Sequence, residues 1–296
     1  MSAAVYGTSP TKRRRRTKTE IATLCDAAVT LLTDDHPMTV RQLFYRLVSV
    51  GAIPKTENEY KGTVGRLLLR LRREGAIPYG WVADNTRWAR KPRTHRGMAA
   101  ALRDTAATYR RPLWDTQAAY VEIWCEKDAL AGVLYEETEP WAVPLMVCRG
   151  FASESYVYAA AEAIRAQGKP AHLYLLTDHD PSGLAIAHDV ERRIRGFLPT
   201  TEVHVERVAV TEDQIERWKL PTRPTKRGDS RSKGFRGESV DVDAIPSGQL
   251  RALVRECITQ HIDWAEYERL IATEEAERAG LADLARYFSA PAPEVA

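Results

Sequence analysis

Short apolar runs alternate with segments of helical periodicity over most of the C-terminal two thirds of the chain. The apolar runs lie at about residues 121–125, 144–148, 171–177 and 202–210. Helical spacing occurs at about 127–137, 152–167, 183–196, 247–261 and 263–286. Short apolar runs of this kind are typical of buried parallel strands, and strands that alternate with helices predict a parallel α/β sheet.

The N-terminal third has a different pattern, with three amphipathic segments that each open on a helix start signal. The signals are the capping-box patterns Thr17-x-x-Glu20, Thr39-x-x-Gln42 and Thr56-x-x-Glu59. They predict helices that run to about residues 33, 50 and 74, the second and third of which stop at a glycine. Residues 77–82 then read as a small hairpin around Gly80. Three helices followed by a hairpin predict a winged helix, a variant of the helix-turn-helix.

The third helix has two chemically distinct faces. Its apolar stripe comprises Tyr60, Val64, Leu67, Leu68 and Leu71. Arg66, Arg70 and Arg73 fall together on another face, which is suited to contact phosphates. An ordinary amphipathic helix with a solvated arginine face has the same pattern. The basic residues that follow at 87–96 favour DNA binding.

Tyr45 lies away from the apolar stripe of the second helix, at about 130° from its centre. We therefore expect its hydroxyl at or near the surface, with Arg41 one helical turn earlier on the same face. A guanidinium there would favour the phenolate and would bind a phosphate. The alternative is a tyrosine at the boundary of the core with no chemical role.

Three carboxylates follow predicted strands. Asp178 and Asp180 lie on the turn after the strand at 171–177, and Glu126 follows the strand at 121–125. Ligands bind at the carboxyl ends of strands in open parallel sheets, and hard oxygen ligands suit Mg²⁺. The alternative for the two aspartates is an acidic helix N-terminus, which the helix dipole favours.

The net charge of +3 conceals an asymmetry between the two parts of the chain. Residues 1–118 carry 22 Lys and Arg against 10 Asp and Glu, whereas the remainder has an excess of acids. A basic region joined to an acidic one indicates a polyanion-binding module beside a separate domain. We expect a disordered basic arm at 1–16, the winged helix at 17–96, a connector at 97–118, the α/β domain with C-terminal helices at 119–286, and a disordered tail at 287–296.

Composition argues against several classes of protein, namely membrane-spanning, secreted, zinc-binding and disulfide-rich proteins. No apolar stretch approaches the roughly 20 residues of a membrane span, and the N-terminus lacks the apolar region of a signal peptide. The four cysteines lie far apart without a Cys-x-x-Cys pair, which argues against zinc and a disulfide framework. We therefore expect a cytoplasmic, nucleoid-associated protein with no membrane partner.

Several motifs together resemble a known family. Glu-Lys-Asp-Ala at 126–129 and Asp-His-Asp-Pro-Ser-Gly at 178–183 resemble the Toprim domain of topoisomerase VI A subunits and of the meiotic double-strand-break transesterases, above all their short bacterial and phage "mini-A" relatives. Arg-Gln-Leu-Phe-Tyr at 41–45 is similar to the family pattern that ends in the DNA-attacking tyrosine. Residues 240–246 resemble another family segment, with Asp241 in place of its usual Glu, and Ser182 stands where the topoisomerases often have Tyr.

The resemblance covers roughly residues 18–265 and implies a mechanism. Tyr45 would attack double-stranded DNA and form a 5′-phosphotyrosyl bond, with Arg41 in support. Glu126, Asp178 and Asp180 would hold Mg²⁺. Arg149, in a glycine-containing turn, would contact phosphate.

The resemblance also implies partners. In the family the tyrosine of one protomer works with the metal site of the other, so a homodimer is implied. The sequence carries no ATPase segment, so strand passage would need a separate ATPase subunit.

Two other functions stay open. One is a metal-dependent Toprim nuclease in which water attacks and Tyr45 is structural. The other is a non-catalytic DNA-binding protein of a mobile element.

Overall fold

The computed structural model describes residues 16–83, 91–225, 235 and 237–289. The predicted basic arm before Arg16, the tail after Ser289, and residues 84–90, 226–234 and 236 lie outside these ranges. The last two belong to the segment 221–239, whose Pro, Thr, Lys, Arg, Gly and Ser residues predict an exposed basic loop. The described chain is a mixed α/β fold, in which N-terminal helices precede a four-stranded parallel sheet.

The N-terminal helices begin where the capping patterns predict. Helix α1 spans Lys18–Asp34 and α2 spans Val40–Ser49, and each has a complete capping box. The third helix starts as a π-helical turn, Glu59–Val64, and continues as α3, Gly65–Arg73. Leucines of its predicted apolar stripe are buried, and its predicted arginine face is exposed.

The predicted hairpin at 77–82 is wrong. Strand β2, Val82–Ala83, pairs in parallel with β1, Met38–Thr39, after a 3₁₀ turn at Tyr79–Trp81. Arg72 explains the difference, because its Nη2 donates to the carbonyls of residues 79 and 82 at 2.7 and 2.8 Å and ties this segment to α3. The parallel pairing with β1 is the long-range contact, and it leaves no trace in the local turn chemistry of residues 77–82.

Part of the predicted connector is a helix. Helix α4, Met98–Thr108, packs along α10, Trp264–Tyr287. The chain after α4 is held by the same long helix, since Tyr109 Oη donates to Glu277 at 2.8 Å. No residue of α4 is fully buried, so it lacks the strong apolar stripe that would reveal a helix in the sequence.

The parallel sheet agrees with the predicted strands to within one residue at each end. Its strands are β3 Tyr120–Cys125, β4 Leu145–Val147, β5 Ala171–Leu176 and β6 Val203–Ala209. They lie in the order β4-β3-β5-β6, all parallel. The remaining helices are α5 Ala131–Thr138, α6 Glu154–Gln167, α7 Pro181–Phe197, α8 Glu212–Arg217 and α9 Ser247–Thr259.

The N-terminal helices rest directly on the C-terminal part of the chain. Asp35, after α1, pairs with Arg251 of α9 at 2.6 Å and accepts the Gly248 amide at 3.0 Å. Helix α2 packs against the 3₁₀ turn Val242–Ala244. These contacts hold α2 close to the carboxyl edge of the sheet. Within the described ranges, no helix combines the length and apolarity that crossing a membrane requires.

A buried acid inside β3 makes a testable contribution to stability. Glu122 is 1 % exposed and accepts hydrogen bonds from Trp124 Nε1 at 2.8 Å and Tyr120 Oη at 3.1 Å. Burial raises the pKa of Glu122 to about 7 and outweighs these two bonds, which lower it. The folded state therefore holds a proton that the unfolded state releases near its ordinary pKa.

We predict that Glu122 makes the protein less stable as the pH rises from about 4.5 to about 7. Glutamine does not titrate, so Glu122→Gln lacks this contribution. Between pH 5 and pH 8, the unfolding free energy of the variant should fall by about 2 kcal/mol less than that of the wild type. Urea denaturation of both proteins at the two pH values measures it. An equal decrease in both would show that Glu122 is ionised in the folded state.

Candidate functional site

The three acids predicted to bind metal lie together at the carboxyl edge of β3 and β5. These strands are hydrogen-bonded neighbours, and the Glu126 amide donates to Leu176 at 3.0 Å. The Asp178 amide in turn donates to Glu126 Oε2 at 3.1 Å. Parallel pairing of the two strands thus joins residues that are far apart in sequence, as the pattern predicts.

Asp180 has a structural role as well as an open oxygen. It is the N-cap of α7, with Oδ1 accepting the Gly183 amide at 2.9 Å. A side chain at Gly183 would lie only 2.1 Å from the Asp178 carbonyl, so the turn requires glycine. The acidic helix N-terminus that the sequence left as an alternative is therefore present. It uses one carboxylate oxygen and leaves Oδ2 facing Arg223.

The acids are balanced by cations of the protein itself. Lys127 Nζ bonds Asp178 Oδ2 at 2.6 Å, and the Val242 amide bonds Asp178 Oδ1 at 2.9 Å. Burial raises the pKa of Asp178 against the effect of Lys127. Burial, and then the Asp178 charge, raise the pKa of Glu126. Two crowded carboxylates with raised pKa values are an environment in which another cation is favourable.

The donor chemistry of these acids suits a hard divalent ion, but their present arrangement is not a ligand shell. Among the described residues, no three His, Cys, Asp or Glu side chains are placed to hold a metal ion. Lys127 and Arg223 occupy oxygens that Mg²⁺ would use. The residues therefore fit Mg²⁺ by type, provided that these two side chains move when the ion binds.

Tyr45 is buried, contrary to the prediction that its hydroxyl stays near the surface. Its side chain is 3 % exposed, and its hydroxyl donates a hydrogen bond to Asp241. The helical wheel fails because it considers α2 alone, whereas the 3₁₀ turn that follows Asp241 covers a second face of this helix. Lys55 Nζ also lies 5.2 Å above the tyrosine ring. Burial, and then Asp241, raise the pKa of Tyr45 against the effect of Arg41.

Two guanidinium groups flank Asp241, and one of them extends the contact to Asp180. Arg41 Nη2 lies 3.1 Å from Asp241 Oδ2, the oxygen that accepts the tyrosine proton. Arg223 Nη2 donates to Asp241 Oδ1 at 2.9 Å and to Asp180 Oδ2 at 3.3 Å. Tyr45 is thus linked through Asp241 and Arg223 to Asp180 within one chain. We call Tyr45, Arg41, Arg223 and Asp241 the tyrosine cluster.

A cavity of about 750 Å³ adjoins the tyrosine cluster, between the N-terminal helices and the carboxyl edge of the sheet. Positive side chains in its wall suit a phosphate, and Glu126 lies in the same wall. The positive lining residues are Arg41, Arg72, Lys127 and Arg149. The cavity therefore has both cationic side chains and carboxylates in its wall, the latter from Glu126, Asp128 and Asp243.

The arginines predicted to bind DNA fall in two places. Arg66, Arg70 and Arg73 are exposed on α3, where Arg70 pairs with Glu74 at 2.8 Å, and Arg66 and Arg70 line a groove against α1. Arg149 lies in the wall of the cavity, in a left-handed turn with φ of 53°, and pairs with Asp128 at 3.0 Å. Arg149 thus shares the cavity wall with Glu126, whereas the α3 arginines lie on a different surface.

Sequence reasoning missed several members of the site. Arg223 was predicted to belong to an exposed basic loop, but its side chain is only 30 % exposed and bridges two acids. Asp243 is 2 % exposed, and burial raises its pKa to about 6 despite Lys127 and Arg41 nearby. The spacing Asp241-x-Asp243 before a proline was the available signal, because paired acids in an otherwise apolar segment seldom lack a partner.

Comparison with models of known protein families finds no match for this chain. Comparison with curated protein sequences finds no significant match. The arrangement of side chains at the carboxyl edge of the sheet therefore carries the functional argument.

Proposed function

We propose that this protein cleaves double-stranded DNA by Mg²⁺-dependent transesterification, with Tyr45 as the nucleophile. The supporting observation is the tyrosine cluster, which connects the phenol of α2 to Asp180 at the sheet edge. A core tyrosine needs one hydrogen-bond partner. Here the partner is an acid held by two guanidiniums, the combination that phosphoryl chemistry uses to activate a hydroxyl and bind a phosphate.

The residues of the site divide the work. Arg41 and Arg149 bind the phosphodiester in the cavity, and Tyr45 attacks phosphorus and releases the 3′ oxygen, leaving a 5′-phosphotyrosyl bond. Glu126, Asp178 and Asp180 would hold Mg²⁺, which would supply positive charge to the reacting phosphate. Lys127, already bonded to Asp178, adds positive charge on the same side.

The burial of Tyr45 sets a condition on this chemistry. Its hydroxyl contacts Asp241 behind Arg41, whose side chain is 37 % exposed and lines the cavity. Lys55 Nζ donates to the carbonyls of Pro221 and Thr222 at 2.7 and 2.6 Å, and these bonds hold it over the tyrosine ring. For the hydroxyl to reach a phosphate, Arg41 or the segment at 221–223 has to move when DNA binds.

The same burial favours a second candidate function. A phenol that is 3 % exposed, with a raised pKa, is a poor nucleophile unless the site rearranges. In that case the acids at 126, 178 and 180 would activate water, and the protein would be a metal-dependent nuclease. The two functions differ in one product, because only transesterification leaves DNA covalently attached to protein.

The wider assignment follows the resemblance. We propose a Toprim-like sheet domain behind a winged-helix-like domain, a homodimer acting on both strands, a location at the nucleoid in the cytoplasm, and a separate ATPase subunit wherever strand passage occurs. The resemblance implies a tyrosine that works with the metal site of the partner, but Asp241 and Arg223 link Tyr45 to Asp180 of its own chain, so we propose a site formed within one protomer. A non-catalytic DNA-binding role is the outcome if neither cleavage nor Mg²⁺ binding is found.

We predict that the wild-type protein, incubated with supercoiled plasmid and Mg²⁺ and then denatured, yields DNA with protein attached to its 5′ ends. Tyr45→Phe removes the nucleophilic oxygen, so its adduct falls below detection. The measurement is a denaturing gel with and without protease, followed by mass spectrometry of the attached peptide.

The control for this prediction is Tyr120→Phe, which removes another buried tyrosine hydroxyl bonded to a carboxylate, at a distance from the tyrosine cluster. Its adduct should equal that of the wild type. Nicking that persists in Tyr45→Phe, with no adduct in either protein, would reject transesterification in favour of hydrolysis by water.

We predict that Mg²⁺ binding measured by calorimetry weakens at least tenfold in the double variant Asp178→Asn/Asp180→Asn. The substitution removes two carboxylate charges, and asparagine keeps the N-cap of α7 because it caps helices as well as aspartate. Asp263→Asn, at the N-cap of α10, is the matched control and should bind like the wild type. Equal Mg²⁺ binding in all three proteins would show that the acids are not ligands.

We predict that Arg66→Ala/Arg70→Ala/Arg73→Ala lowers DNA affinity at every sequence and reduces the slope of log K against log salt by about 3, or about 0.9 for each lost phosphate contact. Fluorescence anisotropy at several salt concentrations measures the slope. The control removes three exposed arginines of α7 and α8, Arg192, Arg195 and Arg217. If DNA affinity and the salt slope fall as much in that control as in the α3 variant, α3 is not the DNA-binding face.

A further inference from the structure

Asp241 is an unusual partner for a buried tyrosine. It is 2 % exposed, accepts the Tyr45 hydroxyl on Oδ2, and has a guanidinium on each oxygen, at 3.1 Å from Arg41 and 2.9 Å from Arg223. A buried carboxylate with two cationic partners stays ionised. A carboxylate that stays ionised and already holds the phenolic proton in a hydrogen bond is placed to remove that proton.

A second buried pair of phenol and carboxylate, in β3, provides a comparison. Glu122 accepts from Tyr120 at 3.1 Å, but its other partner is the neutral Trp124, and burial raises its pKa to about 7. At Asp241, burial also acts to raise the pKa, but the hydrogen bond from Tyr45 and the charges of Arg223 and Arg41 outweigh it and lower the pKa. A carboxylate can therefore accept the hydrogen bond of a buried tyrosine without cationic partners. The two arginines at Asp241 are not explained by the burial of Tyr45 alone.

We propose that Asp241 is a catalytic residue that accepts the proton of Tyr45 as its oxygen attacks the DNA phosphate. This proposal rests on the function proposed above and adds the group that activates the nucleophile. Asp241 touches the reacting oxygen itself, and it belongs to the same chain as Tyr45.

The step balances without another co-reactant. The Tyr45 oxygen forms a bond to phosphorus, and the bond from phosphorus to the 3′ oxygen breaks. The phenolic proton moves to Asp241, and the 3′ oxygen leaves with the bonding electrons and takes a proton from water. Asp241 then returns its proton to the hydroxide so formed. In the reverse reaction Asp241 takes up a proton by way of water from the attacking 3′ hydroxyl, and it returns this proton to the tyrosine oxygen as that oxygen leaves phosphorus.

Against the effect of burial, Arg41 and Arg223 lower the pKa of Asp241, and this low pKa is compatible with a role as acceptor of the Tyr45 proton. A carboxylate of low proton affinity takes little charge from a resting phenol, so Tyr45 keeps its proton until bonding to phosphorus makes it acidic. Arg41 also lines the cavity, where a phosphate would attract it away from Asp241. Arrival of DNA then frees Oδ2 at the moment when the proton has to move.

The test is the pH dependence of adduct formation under single-turnover conditions with Mg²⁺ and plasmid. In the wild type we expect a rate that changes little between pH 6 and pH 9, because Asp241 is ionised throughout. In Asp241→Asn we expect a rate lower by about 10²–10⁴-fold at pH 7 that rises about tenfold per pH unit, as hydroxide replaces the lost base. Asp241→Glu, which retains the carboxylate, should recover most of the rate.

Controls separate a catalytic role from a structural one. Glu122→Gln changes the other buried carboxylate bonded to a tyrosine and should leave the rate and its pH dependence unchanged. Circular dichroism and thermal unfolding check that Asp241→Asn is folded. A readout that needs no activity is the absorbance of tyrosinate, with Tyr45→Phe subtracted. Loss of the Asp241 charge should move the Tyr45 titration to lower pH.

Each remaining outcome overturns the proposal in a recognisable way. A rate for Asp241→Asn that is reduced by the same factor at every pH would make Asp241 a positioning residue. A rate equal to or above that of the wild type would show that Asp241 only restrains Tyr45. An unchanged tyrosinate titration would exclude the contact in solution. Plasmid nicking by the wild type without any adduct would reject Tyr45 as nucleophile, and this result identifies failure of the proposed function itself.

Discussion

Parallel hydrogen bonding between β3 and β5 is the constraint on which the site depends. Parallel neighbours end at the same edge of a sheet, so Glu126 and Asp178, which are 52 residues apart, come into contact through the Asp178 amide. The following turn is fixed as tightly, because Gly183 packs against the Asp178 backbone and Asp180 caps α7. The backbone therefore places the acids before any ligand arrives, and their mutual repulsion is a cost that positive partners must offset.

Positive partners come from three distant parts of the chain, and they join its two regions. Lys127 follows β3, Arg41 belongs to α2, and Arg223 comes from the segment after α8. Removal of one partner from a buried ion pair typically costs about 3–5 kcal/mol, since the remaining charge stays buried. Arg41 and Asp241 thus tie α2 to the C-terminal region, and the same tie holds Tyr45 beside the acids.

The sequence predicts the sheet and the position of the three acids at its edge well, because both depend on short-range patterns. Each strand is an apolar run bounded by turn residues, and the acids follow from the rule that strand ends carry ligands. It fails where contacts span the chain. Tyr45 and its acceptor are 196 residues apart, so a helical wheel cannot reveal the turn that buries the ring. Arg223 was predicted to lie in an exposed basic loop, because its partner Asp180 lies 43 residues earlier and is not apparent from the local sequence. The hairpin failed for the same reason, because Val82–Ala83 pairs in parallel with Met38–Thr39, far earlier in the chain.

The pairing of charges in the cavity has a consequence for how DNA and metal would bind under the proposed function. Two of the three acids are paired with cations, Asp178 with Lys127 and Asp180 with Arg223. The cations that would bind phosphate are paired with acids, Arg41 with Asp241 and Arg149 with Asp128. Binding of either ligand alone would leave the former partners of its ligating groups unpaired. Binding of both would exchange one set of pairs for another, with the acids on Mg²⁺ and the guanidiniums on the phosphate. The same exchange would free Asp241 from Arg41, so release of the buried nucleophile would follow from substrate binding.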